Sequence, residues 1–279
     1  MKRYDVKPKK NLGQHFLNDS EIARRIADTV DTCPDLPVLE VGPGMGALTL
    51  HLLSKRRDTH VIEIDRESIA YLKENFPMLR DNLIEGDFLN MDLAELFGGK
   101  PFVLTGNYPY NISSQIFFKM LDYKDLIPCC TGMIQKEVAE RLCSGPGNKA
   151  YGILSVLLQA WYDTEYLFTV SETVFTPPPK VKSAVVRFTR NSVSELGCDE
   201  RLFKRIVKTT FNQRRKMMRG SIKPLLSQLD NELRQADPQK PIPDHAQLLS
   251  TDMFTLRPEQ LGVKDFIKLT NVVTLHYNI

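Results

Sequence analysis

The alternation of apolar runs with helix-like segments constrains the fold of this chain more than any other feature of its sequence. Short apolar runs occupy residues 38–41, 60–64, 82–88, 101–104 and 127–134. Helical patterns or turns separate them, and this order is typical of a doubly wound, mainly parallel sheet. Two later runs, at 166–170 and 183–189, have no helix between them, which predicts an antiparallel addition at one edge. We therefore predict an α/β domain built on a seven-stranded sheet.

The character of the chain changes near Asn191. From Asp199 onward the pattern is helical and basic, with several interrupting prolines. Apolar residues recur at helical spacing from Phe203 and would bury one face of the first helix. We assign residues 1–191 to the α/β domain, which begins with a basic arm, and residues 192–279 to a smaller helical domain.

The composition of the chain excludes several classes of protein. With 42% hydrophobic and 25% charged residues over 279 positions, the chain can bury a core. It has no run of about 18 apolar residues that could span a membrane, and its start lacks the apolar core of a signal peptide. The five cysteines are odd in number and lack metal-ligand spacing. We expect Cys129 and Cys130 to be reduced core residues, the protein to be cytoplasmic, and no metal to be bound.

The net charge of +3 conceals two basic clusters. Residues 1–10 carry five basic side chains against one acid, and residues 201–223 carry nine and no acid. Acid-poor basic clusters in a nearly neutral protein indicate a polyanionic partner such as a nucleic acid. The candidate RNA-contacting residues are Lys9, Lys10, Arg214, Arg215, Lys216 and Arg219.

A glycine-rich turn follows the first apolar run. Gly42 and Gly44 let the backbone pass close to a ligand, and the helix that follows offers free N–H groups. The G-x-G-x-G spacing is not the full dinucleotide fingerprint, so this pattern alone is weak. Two carboxylates, Glu63 and Asp65, end the next strand about 20 residues later, which suits a grip on two ribose hydroxyls. Both alternate onto the same side of the strand, so spacing does not choose between them.

Two further strand ends carry polar side chains. Asp87 could accept a hydrogen bond from an adenine amine or cap the turn that follows it. The stretch 105–111, Thr-Gly-Asn-Tyr-Pro-Tyr-Asn, places an amide, a proline-fixed turn and an aromatic ring where ligands of open α/β sheets bind. The prolines at 177–179 stiffen a loop that could present Phe175. The set outlines a nucleoside site without a Walker-type phosphate loop.

Four stretches carry a resemblance to a known family. They are Asn-Leu-Gly-Gln-His-Phe-Leu at 11–17, Glu-Val-Gly-Pro-Gly at 40–44, Asn-Tyr-Pro-Tyr-Asn-Ile-Ser at 107–113 and Phe-Thr-Pro-Pro-Pro-Lys-Val at 175–181. Jointly they resemble the ribosomal RNA adenine dimethyltransferases, and most of all the branch that acts on small-subunit (16S) RNA. The similarity extends in order over about residues 7–190. It implies the Rossmann-like class I methyltransferase fold, with S-adenosylmethionine as the methyl donor.

The resemblance also implies roles for individual residues. Asn107 through its side-chain oxygen and Tyr108 through its backbone carbonyl would accept the two N–H bonds of the target amine. Tyr110 and Phe175 would stack on the extruded base. For the ribose hydroxyls the resemblance selects Glu63, and no metal is required. The implied cofactor-binding residues are His15, Leu17, Gly42, Gly44, Glu63, Asp87 and Asn107, and the implied catalytic residues are Asn107, Tyr108, Tyr110 and Phe175.

The implied reaction is transfer of methyl groups from S-adenosylmethionine to the exocyclic N6 amines of two adjacent adenosines in the 3′-terminal hairpin loop of 16S RNA. The implied partner is the immature small ribosomal subunit, in whose biogenesis the protein, as a monomer, would have a role. The sequence departs from the family pattern at Tyr108, usually Leu, and at Lys182, usually Asp. A resistance-type dimethyltransferase of large-subunit (23S) RNA and a non-catalytic ribosome assembly factor stay open as alternatives.

Overall fold

The computed structural model describes residues 6–55 and 57–278, so the first five residues of the basic arm, Arg56 and Ile279 lie outside the description. Within the described ranges, no helix combines the length and the apolar character needed to cross a membrane. The same ranges hold no group of three His, Cys, Asp or Glu side chains that could bind a metal ion.

The chain divides into two compact units. The first contains the residues up to Cys143 together with 162–191, and the second contains 144–161 together with 192–279. The sequence-based boundary at residue 191 recurs in this division. Residues 144–161, however, belong to the second unit and not to the α/β domain. The physical reason is packing within the second unit, where the Tyr151 ring meets the Phe211 ring with 6.1 Å between centroids.

The first unit is built on the predicted seven-stranded sheet. The described residues contain the strands β1 (Phe16–Leu17), β2 (Val38–Val41), β3 (Thr59–Glu63), β4 (Leu83–Glu85), β5 (Val103–Thr105), β6 (Cys129–Gln135), β7 (Tyr162–Val170), β8 (Phe175–Thr176) and β9 (Ser183–Arg190). Seven of them form the main sheet in the order β4-β3-β2-β5-β6-β9-β7. The strands from β4 to β6 are parallel, and β9 pairs antiparallel with β6 and β7. Both the mainly parallel sheet and its antiparallel edge are thereby confirmed.

Helices cover the sheet and make up most of the second unit. The first unit has α1 (Ser20–Asp28), α2 (Thr49–Leu53), α3 (Arg66–Asn75), α4 (Ser113–Asp122) and α5 (Lys136–Cys143). The second unit has α6 (Ile153–Gln159), α7 (Glu200–Phe211), α8 (Met218–Ser221), α9 (Lys223–Ala236), α10 (His245–Leu249) and α11 (Val263–Tyr277). Aspartate side chains cap the starts of four of them: Asp19, Asp65, Asp199 and Asp244 accept hydrogen bonds from first-turn N–H groups of α1, α3, α7 and α10.

A second, two-stranded ladder ties the amino-terminal arm to the proline loop. In it β1 pairs antiparallel with β8, so that Leu17 lies opposite Phe175. The backbone N–H of Asn18 extends the ladder by donating to the Val174 carbonyl at 2.9 Å. We expected a flexible arm, and sequence patterns gave no sign of this pairing because each strand has only two residues.

The cysteines differ from the prediction at one position. Cys129 on β6 forms a disulfide with Cys33, and their Cα atoms are 5.7 Å apart. Cys130 stays a free, buried thiol as predicted, and burial raises its pKa to about 12. Neighbouring strand residues point to opposite faces of a sheet, so Cys129 faces the side where Cys33 lies and Cys130 faces away.

Candidate active site

A cavity of about 420 Å³ opens at the carboxyl ends of the parallel strands in the first unit. This volume lies within the range of small-molecule sites, and the position is where open α/β sheets bind ligands. Nine of the predicted site residues line it: His15, Leu17, Gly42, Gly44, Glu63, Asp87, Asn107, Tyr108 and Tyr110. Segments far apart in the sequence thus meet at one site.

The glycine turn forms the floor of the cavity in a conformation that favours glycine. Gly42 and Gly44 have φ angles of +69° and +57°, in the left-handed region. A Cβ atom on Gly44 would lie 3.1 Å from the ring of Phe16, which the arm places beside the turn. A larger residue at position 44 would therefore push against the arm, and the glycine keeps the backbone accessible.

The structure distinguishes between the two candidate ribose ligands. Glu63 lines the cavity, where its two carboxylate oxygens accept backbone N–H groups of Gly44 at 3.0 Å and of Ile64 and Asp65 at 2.9 Å each. Burial raises the pKa of Glu63, and these three donors oppose the shift. Asp65 instead points away and caps α3. Of the two carboxylates, Glu63 is therefore the one that lines the cavity.

Lys9 of the basic arm is engaged with acidic residues. Its ammonium forms an ion pair with Asp65, contacts Glu67 at 3.2 Å, and sits beside the Gln14 amide, which donates to Asp65 at 3.2 Å. These contacts tie the arm to α3, and the RNA contact of Lys9 stays a prediction. Lys10 is exposed, and its RNA contact also stays a prediction.

Asp87 caps the turn that follows it and keeps the capacity to accept hydrogen bonds from a ligand. It caps its turn by accepting the N–H of Leu89 at 2.9 Å and the side-chain amide of Asn90 at 2.7 Å. It also lines the cavity. A carboxylate has about four lone-pair sites, so two remain for a ligand amine.

Asn107 is held in one orientation by the arm. Its side-chain NH₂ donates to the backbone carbonyl of His15 at 3.1 Å. Because a carbonyl oxygen can only accept, this bond fixes which end of the amide is nitrogen and leaves Oδ1 as a free acceptor. The backbone on either side is also fixed, since Tyr108 N–H donates to Met133 at 3.0 Å and Met133 N–H donates to Gly106 at 2.9 Å.

The Tyr108 ring serves the core below the site. It is only 1% exposed. Its hydroxyl donates to the Thr131 carbonyl at 3.0 Å, and its ring meets Phe117 edge-on at 5.7 Å. The Tyr108 ring, which is larger than the Leu side chain usual at this position in the family, therefore fills space under the 105–111 stretch, and its hydroxyl is hydrogen-bonded. The action of Tyr108 through its backbone carbonyl stays a prediction.

Tyr110 presents the aromatic surface of the site. Its hydroxyl is hydrogen-bonded to Ser183 at the start of β9, and its ring lies 5.3 Å from the His15 ring at an angle of 32°. His15 Nδ1 in turn donates to the Pro177 carbonyl at 2.8 Å. The arm, the 105–111 stretch and the proline loop thus converge around one ring.

Phe175 does not reach the cavity. It is 3% exposed and belongs to a core cluster that includes Leu17 and Val170. Its position in β8, opposite Leu17, directs the ring into the core. The predicted stacking of Phe175 on the target base is therefore not supported, and Tyr110 is the predicted stacking residue that lines the site.

Glu40 is a site residue that the sequence analysis did not select. It is 1% exposed, lines the cavity, and accepts a hydrogen bond from the Thr49 hydroxyl at 2.6 Å. Burial raises the pKa of Glu40 to about 8. The available signal was an acid inside an otherwise apolar strand, which is a costly placement unless the carboxyl is protonated or paired.

Stability should therefore depend on pH through Glu40. The folded state holds its proton up to about pH 8, whereas the unfolded chain releases it near pH 4.5. This stabilisation is present at acid pH and is lost as the pH rises through 8. Between pH 5 and pH 8.5, the free energy of unfolding of wild type should fall by about 2–4 kcal/mol relative to that of Glu40→Gln. Urea unfolding at the two pH values measures this difference. Glu95→Gln, on an exposed turn, is the control, and equal responses of the two variants would contradict the assignment.

The second unit carries the larger basic cluster, and its members differ in their surroundings. Arg214 donates to the Lys149 carbonyl at 2.9 Å and lies 4.0 Å from Glu259. Arg205 pairs at 2.7 Å with Glu232, which lies 27 residues later in the chain. The three remaining candidates, Arg215, Lys216 and Arg219, are exposed. Arg214 therefore anchors the loop that carries Arg215 and Lys216, and Arg219 lies on α8, which follows this loop.

The residues of the cavity fit S-adenosylmethionine. Glycines without Cβ atoms line one part, a carboxylate on the next strand faces the cavity, a third strand end offers Asp87, and an oriented amide stands beside a tyrosine ring. These groups suit the ribose and the adenine amine of the cofactor and the adenine base that accepts the methyl group. Bound S-adenosylmethionine supplies an electrophilic methyl group. Fold and site together define a class I, S-adenosylmethionine-dependent methyltransferase.

Comparison with known proteins places the chain within that class. Residues 6–255 match the sequence profile of the family described as Ribosomal RNA adenine dimethylase. The chain belongs to this family. It is 67% identical over 268 residues to the ribosomal RNA small subunit methyltransferase A of Phocaeicola vulgatus, covering 96% of this chain and 90% of that protein. The protein of the same name from Parabacteroides distasonis is 62% identical over 271 residues, with 97% and 96% coverage.

Solved structures agree with this placement. A dimethyladenosine transferase from Plasmodium falciparum superposes with a TM-score of 0.77 at 26% identity, covering 95% of this chain and 99% of that one. The 23S rRNA methyltransferase ErmE superposes with a TM-score of 0.61 at 25% identity, with 92% and 99% coverage. The predicted fold class is confirmed.

Proposed function

We propose that the protein transfers methyl groups from S-adenosylmethionine to the N6 amines of two adjacent adenosines in the 3′-terminal hairpin loop of small-subunit (16S) RNA. The observation that carries this proposal is the Asn107 amide, held by the His15 carbonyl with its oxygen free beside the Tyr110 ring. The relatives named ribosomal RNA small subunit methyltransferase A support the choice of RNA.

The chemistry of the acceptor explains why an oriented amide is needed. The lone pair of an adenine amine is delocalised into the ring, so the amine is a weak nucleophile. Two acceptors, Asn107 Oδ1 and the Tyr108 carbonyl, would hold its N–H bonds and aim the lone pair at the methyl group. Pro109 biases Tyr108 to an extended backbone and so directs that carbonyl. Positioning of this kind supplies much of the rate without a strong base.

The remaining residues of the cavity divide between the cofactor and the base. His15 and Leu17 of the arm would cover the cofactor. Gly42 and Gly44 would approach its methionine portion. Glu63 would accept hydrogen bonds from its ribose hydroxyls. Asp87 would accept a hydrogen bond from the adenine amine of the cofactor. Tyr110 would stack on the extruded base, an interaction worth about 1–3 kcal/mol.

The second unit would bind RNA phosphates. Arg215, Lys216 and Arg219 supply exposed charge. Met218 N–H donates to the Leu256 carbonyl at 2.7 Å, which brings the exposed Arg257 near the same surface. Arg257 lies outside the basic run at 201–223, so sequence clustering did not select it. The partner would be the immature small ribosomal subunit. The enzyme would act on it as a cytoplasmic monomer and would have a role in subunit biogenesis.

Methyl transfer with a mapped product tests the proposal. The protein is incubated with labelled S-adenosylmethionine and either immature small subunits or large-subunit RNA, and the modified bases are located. Dimethyladenosine at two adjacent positions near the 3′ end of 16S RNA is expected. Modification of 23S RNA alone would support the resistance-type alternative, and cofactor binding without transfer to either substrate would support a non-catalytic assembly factor.

Removal of the exposed charges should weaken RNA binding in a salt-dependent way. For the triple variant Arg215→Ala, Lys216→Ala, Arg219→Ala, we expect the slope of log affinity against log salt to become shallower by about 2–3, because about one counterion is released per phosphate contact. Filter binding between low and moderate salt measures this slope. The control is a triple alanine variant of exposed basic residues in the first unit that lie outside both basic clusters, Lys73, Arg80 and Lys100. An unchanged slope would remove the cluster from the RNA surface.

A further inference from the structure

Lys119 is a half-buried cation that the chemistry above does not use. It lies on α4, which begins just after the 105–111 stretch. Its ammonium donates to two backbone carbonyls of the loop after β4, to Leu89 at 3.0 Å and to Met91. It also lies over the ring of Phe88, 5.4 Å from the centroid. Two of its three donors are therefore spent on one loop.

The loop that Lys119 holds also carries Asp87. Gly86, Asp87, Phe88 and Leu89 line the cofactor cavity. Within the loop, the Asp87 carboxylate accepts hydrogen bonds from Leu89 and Asn90. The carboxylate is thus bonded to the segment whose carbonyls Lys119 holds, so a shift of that segment would shift the carboxylate as well.

The outer side of this loop faces open space. A shallow depression of about 570 Å³ lies there, and Leu89, Met91, Asp92, Lys119 and Tyr123 are among the residues that line it. Leu89 lines this depression as well as the cofactor cavity. A segment with open space on both sides depends on the few bonds that hold it. Lys119 supplies two of these bonds, and the Tyr123 hydroxyl supplies another by donating to Asp92 at 3.0 Å.

We propose that Lys119 is a positioning residue for the purine end of the cofactor site. By holding the Leu89 and Met91 carbonyls, it keeps the Asp87 carboxylate against the adenine amine. It thereby sets the preference for adenine over a 6-oxopurine, whose carbonyl oxygen would face the carboxylate as a second acceptor. This inference rests on the proposed contact of Asp87 with the adenine amine.

Calorimetry on the full chain with two ligands tests the inference. The ligands are S-adenosylhomocysteine and S-inosylhomocysteine, which differ in the 6-amine. Wild type should prefer the adenosine form about 30-fold or more, because a site built to bond an amine rejects an analogue that lacks it. Lys119→Met should lower affinity for S-adenosylhomocysteine about tenfold and for S-inosylhomocysteine about twofold, which narrows the preference about fivefold. Lys119→Arg, which can still donate to both carbonyls, should keep the preference within about threefold of wild type.

The controls separate positioning from folding. Lys100→Met removes an exposed lysine before β5 and should change neither affinity. If Lys119→Met keeps the wild-type preference, or lowers both affinities equally, the inference is overturned. Asp87→Asn separates this failure from failure of the proposed site. Loss of preference in Asp87→Asn with retention in Lys119→Met overturns the role of Lys119 alone, whereas no preference in wild type overturns the Asp87 contact and this inference with it.

Discussion

Replacing Asn107 with alanine is expected to lower the rate of methyl transfer about 1,000-fold or more, while the affinity for S-adenosylmethionine stays within about threefold of wild type. The His15 carbonyl holds the NH₂ end of Asn107, so Oδ1 is available for the target amine. Alanine removes this acceptor and leaves only the Tyr108 carbonyl. The amine can then rotate, and its lone pair is no longer aimed.

Single-turnover transfer to immature small subunits measures the rate, and calorimetry measures cofactor affinity. Asn75→Ala is the matched control, because its exposed amide at the end of α3 bonds the Tyr71 carbonyl at 2.9 Å. Wild-type turnover in Asn107→Ala would exclude Asn107 from catalysis. A parallel loss of cofactor binding would show that its main role is to hold the cofactor.

Replacing Gly132 with alanine is expected to destabilise the first unit by about 3 kcal/mol or more and to abolish transfer. Gly132 lies on β6 with a φ of +149°. A Cβ there would lie within 3.0 Å of the Gly106 carbonyl oxygen and 2.6 Å from the Tyr108 ring. The Gly106 carbonyl is backbone and the buried ring is packed, so neither can yield cheaply. The clash therefore displaces the stretch that carries Asn107.

Urea unfolding and the transfer assay measure the two effects. Gly145→Ala is the control, because nothing lies within 4 Å of a Cβ built at that position. If Gly132→Ala kept both wild-type stability and activity, the tight contact behind the 105–111 stretch would be contradicted. If stability fell while activity remained, the clash would be relieved on the β6 side alone.

The sheet could be predicted from the sequence because each strand is recognisable from its own local pattern of apolar residues. Strands such as β2 are buried along their whole length and read as apolar runs. The carboxyl-end rule then placed Gly42, Asp87 and Asn107 at one edge, and the structure brings them to one cavity. Patterns of this kind need no knowledge of distant contacts.

The features that could not be predicted from the sequence depend on contacts between residues far apart in the chain. Spacing left Glu63 and Asp65 equivalent, whereas in the structure Asp65 is engaged by Lys9, which lies more than fifty residues earlier. Phe175 was expected at the site because its loop is stiff, but pairing of β8 with β1 turns the ring into the core. The Cys33–Cys129 disulfide spans 96 residues. None of these contacts has a signature within a window of ten to twenty residues.

The ladder between β1 and β8 has a consequence for the order in which a growing chain acquires activity. His15 and Pro177, which are hydrogen-bonded, are separated by 162 residues. The arm is synthesised first, but its partner strand and Ser183, the anchor of Tyr110, are among the last parts of the first unit to be made. A nascent chain that already contains the glycine turn, Glu63 and Asn107 therefore still lacks the strand that seats the arm over them. Methyl transfer should begin only after nearly all of the first unit has been made, so chains released early would not carry a working site.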